Sequence, residues 1–123
     1  NKVMGVRDSI PTPKVMGAQK GEVLVLGWGS TYGAITSAVE SLTKQGKPVG
    51  AIHLRHVWPL PKGLDAIFSN YKAVLVPEMN MGQMARLLRS EYPQHNIVSY
   101  PKVQGLPFRT SELQDKVDSL LKG

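Results

Sequence analysis

VLVLGWGSTYGAITSAVESL, residues 23–42, decides the fold of this chain. An apolar, β-branched run enters a turn holding Gly27, Gly29 and Gly33. The turn opens a segment whose apolar residues Ala34, Ile35, Ala38, Val39 and Leu42 recur at helical spacing. A buried strand, a tight glycine turn and an amphipathic helix in that order make a βα unit.

Working outward, the same alternation repeats. Helix one stops at KQGK (44–47), where Gly46 suits a left-handed cap and Lys44 favours the helix dipole. PVGAIHL (48–54) reads as strand two. LPKGLDAIFSNY (60–71) reads as a short helix with Pro61 near its first turn and Leu64, Ile67 and Phe68 inward. KAVLVPEMN (72–80) is strand three. GQMARLLRSEY (82–92) is helix three, burying Met84, Leu87, Leu88 and Tyr92, with Asn80 and Gln83 spaced as a capping box. NIVSY (96–100) is strand four. SELQDKVDSLL (111–121) is helix four, with Ser111 and Gln114 as a second capping pair and Leu113, Val117, Leu120 and Leu121 inward.

Strands alternating with helices predict right-handed βαβ crossovers and a parallel sheet with helices on both faces. The simplest doubly wound order is 2-1-3-4. The winding reverses between strands one and three, so GWGSTYG (27–33) and PEMNMGQ (77–83) become neighbours at their carboxyl ends. Residues 1–21 show no sustained period. They read as an N-terminal arm with an edge strand, and residues 22–123 as one α/β domain.

Composition bounds the function. The 123 residues suffice for one domain and carry a net charge of +6. The basic side chains are scattered, as on an ordinary solvated surface, and no nucleic-acid reader module is present. No apolar run approaches the roughly 20 residues that span a bilayer. The chain has no cysteine, which excludes a disulfide, a thiolate zinc site or an iron–sulfur cluster held by this polypeptide. A reducing, cytoplasmic setting fits that usage. The chain does not open on Met, as expected of a piece of a longer polypeptide.

The glycine loop is not a dinucleotide fingerprint. Its third glycine falls one residue late, Trp28 crowds the first two, and about 20 residues on stand His53, Arg55 and His56 where a ribose-binding acid is needed. No Gly-Lys-Ser/Thr follows, so it is not a P-loop. The loop turns a corner, with Ser30 or Thr31 as helix cap. Amides at Gly29, Ser30 and Thr31 form a candidate anion site at the start of helix one.

Glu78 is the one acid in PEMN. It follows a buried strand and faces the expected crevice, where it could be a general base, a cofactor partner, an interface ion pair or a structural group. His53 and His56 would need a third ligand to hold a metal; His95 is the only other histidine, and packing roles are the simpler reading. No nucleophile elbow or triad is visible. Trp28, Tyr32, Trp58 and Phe108 fall at strand ends, loops or helix starts, where aromatics fill partner pockets. With Arg55, His56, Glu78, Asn80 and Gln83, the residues Trp28, Tyr32 and Phe108 are the expected interface.

LVLGWGSTYGAITSAVESL (24–42), GKPVGAIHLRHVWPLP (46–61), VLVPEMNMGQMARLLR (74–89) and YPKVQGLPF (100–108) together resemble one family. It is the C-terminal domain of the alpha subunit of 2-oxoacid:ferredoxin oxidoreductases, most like the 2-oxoglutarate type. The resemblance covers roughly residues 22–121. It implies a three-layer α/β/α sandwich similar to the transketolase C-terminal domain. The implied sheet is mixed and five-stranded, with an antiparallel N-terminal edge strand, within residues 2–18, beside strand two.

The resemblance further implies an intact enzyme that decarboxylates a 2-oxoacid on thiamine diphosphate with Mg2+. Such an enzyme passes electrons through iron–sulfur clusters to ferredoxin and forms acyl-coenzyme A. The cofactors would lie outside this chain, which carries no catalytic residue. Its partners would be the upstream alpha-subunit domain and the beta subunit, and GWGSTYG, PEMNMGQ and KVQGLPF (102–108) would serve assembly. The alternative is a stand-alone binder of coenzyme A or a nucleotide in the crevice between Gly29 and Glu78.

Overall fold

The computed structural model describes residues 14–28, 32–54, 63–78, 83–101 and 109–122. Five strands, β1 (Met16–Gly17), β2 (Gly21–Trp28), β3 (Val49–Leu54), β4 (Tyr71–Glu78) and β5 (Ile97–Pro101), form one sheet in the order β1-β3-β2-β4-β5. β3, β2, β4 and β5 run parallel, and β1 pairs antiparallel with β3. The expected 2-1-3-4 order and antiparallel edge strand are both present.

Four helices cover the sheet: α1 (Tyr32–Lys44), α2 (Leu64–Phe68), α3 (Gln83–Glu91) and α4 (Thr110–Lys122). Strand pleat sorts the core into two layers, because successive side chains point to opposite faces. Leu24, Leu26, Val74 and Val76 pack with Leu64, Phe68, Met84 and Leu88 of α2 and α3. Val23, Val25 and Leu75 pack with Ile35, Val39 and Leu42 of α1 and with Leu113 and Val117 of α4. Central strands covered on both sides must be apolar throughout, which explains the uninterrupted runs in β2 and β4. Each fully buried Leu or Phe contributes about 1.5–3 kcal/mol relative to leaving it in water.

The turn after α1 needs glycine. Gly46 has φ 80°, in the left-handed region. Its amide donates to the Thr43 carbonyl while that of Lys47 donates to the Leu42 carbonyl, closing the helix end. Lys47 then pairs with Asp118, tying this turn to α4. Lys116 of α4 sits 5.6 Å from the centre of the Tyr100 ring on β5, a cation–π contact.

Two local expectations are corrected. The second helix is Leu64–Phe68 among the described residues rather than 60–71, with residues 60–62 outside them. Ser69 and Asn70 turn, and Tyr71 is already in β4, paired with Gly21. At α4 the reciprocal cap lies earlier than Ser111–Gln114: the Arg109 amide donates to Glu112 Oε1 at 2.9 Å.

Candidate functional site

The four parallel strands end at Leu54, Trp28, Glu78 and Pro101. Trp28 pairs with Leu54, and Glu78 pairs with Pro101. The β2–β4 register sets Val25 against Leu75. Three residues further on, β2 ends at Trp28 and β4 at Glu78. Leu54, Trp28, Glu78 and Pro101 are therefore the carboxyl rim of the sheet, and the winding reverses between β2 and β4. In open α/β sheets that edge is where ligands and partners are received. Residues 29–31, 55–62, 79–82 and 102–108 follow directly on the four ends in the chain.

Glu78 is the polar centre of the described rim, yet its carboxylate is turned inward. The residue is 1% exposed. The Met84 amide donates to Oε1 at 2.7 Å and the Ala85 amide to Oε2 at 3.1 Å. Both oxygens thus serve amides in the first turn of α3, which have no acceptor within the helix. The negative charge also lies at the positive end of the helix dipole, worth about 0.3–1 kcal/mol, and up to ~2 when partly buried. These contacts offset a desolvation cost of several kcal/mol for a buried ion. Of the readings open at the sequence level, this geometry supports the structural one. The carboxylate is spent on its own helix.

Trp28 ends β2 half-buried, packed against the core layer of α2 and α3. Tyr32 opens α1 and Gln83 opens α3. Gly29, Ser30, Thr31, Arg55, His56, Asn80 and Phe108, together with Trp58, lie outside the described residues. The rim thus collects the strand ends from which every expected interface segment departs.

His53 and His95 are not brought together. His53 is near the carboxyl end of β3, whereas His95 precedes β5 at the opposite edge. There His95 Nε2 hydrogen-bonds Asp65 Oδ1 at 2.7 Å, and Gln94 donates to the same oxygen at 2.7 Å. The His95 ring stands edge-on to Phe68, with centroids 5.6 Å apart. The hydrogen bond with His95, then that with Gln94, lowers the Asp65 carboxyl below its ordinary pKa of 3.8. No signal in the sequence pointed to this pair, because the two residues lie on segments 30 apart. Among the described residues no group of three His, Cys, Asp or Glu could hold a metal, and no helix is long and apolar enough to cross a membrane.

Residues 21–115 match the pyruvate:ferredoxin oxidoreductase core domain II family. The chain is 36% identical over 102 residues to the 2-oxoglutarate oxidoreductase subunit KorA of Mycobacterium tuberculosis, covering 83% of this chain and 16% of that protein. It is 32% identical over 99 residues to the 2-oxoglutarate synthase subunit KorA of Methanocaldococcus jannaschii, covering 78% and 26%. Its structure resembles the 2-oxoglutarate:ferredoxin oxidoreductase of Magnetococcus marinus, solved with 2-oxoglutarate, coenzyme A and succinyl-CoA bound. That likeness has a TM-score of 0.89 and 30% identity over 96% of this chain and 21% of the other. The chain spans about a quarter or less of the length of these relatives. With the motifs, the mixed sheet and the relatives in agreement, the chain belongs to the pyruvate:ferredoxin oxidoreductase core domain II family.

Proposed function

We propose that this chain is an assembly domain of the alpha subunit of a cytoplasmic 2-oxoglutarate-type 2-oxoacid:ferredoxin oxidoreductase. The α/β domain includes the edge strand Met16–Gly17 as well as the sheet and helices from Gly21 on, and the residues before that edge strand are the arm leading to the rest of the subunit. The carboxyl rim, with the segments around Trp28, Tyr32, Arg55, His56, Asn80, Gln83 and Phe108, meets the other alpha-subunit domain and the beta subunit. The likeness to the Magnetococcus marinus enzyme, at 30% identity over nearly the whole chain, carries this reading.

The chemistry belongs to the assembled enzyme. Thiamine diphosphate with Mg2+ supplies decarboxylation there, iron–sulfur clusters pass electrons to ferredoxin, and coenzyme A takes the acyl group. This chain has no cysteine for a cluster. Its buried carboxylate, Glu78, accepts from two amides of its own helix and is 1% exposed, which leaves it without the solvent or substrate access a general base needs. What the domain supplies is the set of strand ends from which the interface segments depart.

The test compares the isolated chain with the intact enzyme. The purified 123-residue chain, given 2-oxoglutarate, coenzyme A and ferredoxin, is expected to reduce no ferredoxin and to give no calorimetric signal with micromolar coenzyme A. Excising the domain from the alpha–beta enzyme is expected to abolish assembly and turnover together. Turnover by the isolated chain, or micromolar coenzyme A binding to it, overturns the proposal in favour of a stand-alone enzyme or binder.

A further inference from the structure

We infer that Arg89 guards the open edge of the sheet: its guanidinium occupies the lane beside β5 that the β5 strand of a second copy of this chain would otherwise enter. This role is independent of the assembly reading above.

The two edges of the sheet are closed differently. At β3 the short strand β1 pairs with Gly50 and Ala51. At the other edge β5 is the last strand, and no described segment pairs with its outer side. An unpaired strand edge is a template for another chain. The local sequence suits that use. Residues 96–101, NIVSYP, carry no charge, and Ile97, Val98 and Tyr100 favour strands.

The ladder shows which groups face outward. The Asn96 carbonyl accepts from the Val74 amide at 2.8 Å, and Val74 and Val76 are in register with Ile97 and Ser99. Along a parallel pair, alternate residues turn their amides and carbonyls to one neighbour. Asn96, Val98 and Tyr100 therefore serve β4, while Ile97, Ser99 and Pro101 present their backbone groups to the open side. Pro101 has no N–H to offer there. The antiparallel register that pairs both Ile97 and Ser99 without drawing on Pro101 sets Ile97 of one copy against Ser99 of the other. That register consumes the Ile97 carbonyl of both copies.

Arg89 holds that carbonyl. It donates from Nε at 3.1 Å and from Nη2 at 2.8 Å, the distances at which the amide of an added strand would stand. Arg89 lies in the last turn of α3, beside the buried Leu88, so the fork is carried over the edge by a packed helix. Strand addition must therefore break two charged forks, one in each copy, and leave both guanidiniums beside the new pair. A cation at one end of β5 and a proline at the other are devices by which sheet edges resist pairing.

The whole 123-residue chain is compared with Arg89→Ala and with the double variant Arg89→Ala, Ser99→Pro. Ser99→Pro removes an outward N–H and leaves the β4 ladder its donors. The readouts are sedimentation equilibrium over a range of concentrations and amide exchange at Ser99. In the unsubstituted chain, Ser99 exchange is expected not to change with concentration. Arg89→Ala is expected to self-associate about tenfold or more tightly, since each copy regains an acceptor, and its Ser99 exchange should slow as concentration rises. The double variant should lose that association without regaining stability, a rescue that clumping through lost stability would not show.

Association of Arg89→Ala no tighter than that of the unsubstituted chain overturns the inference. So does association that leaves Ser99 exchange unchanged or that survives Ser99→Pro. Slowing of Ser99 exchange with concentration in the unsubstituted chain overturns it as well, because the edge would then be open with Arg89 in place. If the double variant does not fold, Ser99 exchange in Arg89→Ala decides alone.

Discussion

The Tyr71 phenol donates a hydrogen bond to the carbonyl oxygen of Ala18, 53 residues earlier in the chain. Tyr71 is the first residue of β4, and Ala18 follows the edge strand β1. The ring therefore reaches across β2 to lie over β3, where it fastens the residue that follows the outermost strand. It crosses Gly50, where an added Cβ would lie 2.4 Å from the phenol oxygen and 2.6 Å from the Ala18 carbonyl oxygen. Tyr71→Phe should cost about 0.5–1.5 kcal/mol, the net value of one hydrogen bond. Gly50→Ala should cost about 1–3 kcal/mol by overpacking. The two should couple in a double-mutant cycle by about 0.5 kcal/mol or more, as residues in direct contact do. Additive losses in denaturant melts would show that the phenol does not occupy the space above Gly50.

Burial raises the Tyr71 pKa above its ordinary value of 10.0. A group whose folded pKa is raised contributes stability that is complete below its unfolded value and lost as the pH rises through the folded one. Stability should thus decline above pH 10, and the decline should be shallower in Tyr71→Phe. Ultraviolet titration of phenolate absorbance in the folded chain, with the Phe variant as the blank for Tyr71, measures the shift directly.

Asp65 has the opposite sign. Its folded pKa is depressed, so its contribution is present above the unfolded value and is lost as the pH falls through the folded one. The melting-temperature difference between the unsubstituted chain and Asp65→Asn should be constant from neutrality down to the ordinary carboxylate range and shrink below it. A carboxyl-carbon NMR titration with a midpoint at or above 3.8 for Asp65 would contradict the contact with His95 and Gln94.

Arg89→Ala should lose about 1.5–3 kcal/mol, as hydrogen bonds from a charged donor do. The Asn96 carbonyl accepts from the Val74 amide, so the Ile97 carbonyl points away from β4, at the open edge of the sheet. Arg89 occupies that edge acceptor. Arg86, exposed on the same helix, is the control, and its Ala variant should stay within about 0.5 kcal/mol.

Leu113 is fully buried between α1 and the sheet, whereas Leu121 is only partly covered. Leu113→Ala should cost about 2–5 kcal/mol, the range for emptying a core site. Leu121→Ala should cost less than half as much. Equal losses in chemical denaturation would mean that α4 packs in a different rotation.

Much of the fold was legible because the signals that encode it are local and periodic. Ile35, Ala38, Val39 and Leu42 mark a helix face by spacing alone, and the unbroken apolar runs of β2 and β4 mark strands covered on both sides. An edge strand in the arm was legible from the residues, but its antiparallel direction and its place beside strand two came only through family resemblance, since Met16 and Gly17 carry no period of their own. The second helix was overdrawn because Tyr71 suits a helix face and a strand start equally. Its partner Gly21 lies 50 positions away, beyond any local window. The Asn80–Gln83 capping box lies outside the described residues, and the Glu78 cap on the Met84 and Ala85 amides is one that local spacing rules do not contain. At the candidate site, position was readable from the topology, but the inward turn of Glu78 depended on where α3 lands in three dimensions.

The separate strand ends at Leu54, Trp28, Glu78 and Pro101 have an evolutionary corollary. Each segment beyond those ends leaves from its own fixed post, so lengthening or rewriting one leaves the departure points of the other three unmoved. Selectivity for a neighbour can then drift one segment at a time, while purifying selection acts on the two packed layers beneath. Grafting a single segment between relatives, with its post conserved, is the unit of change this architecture permits.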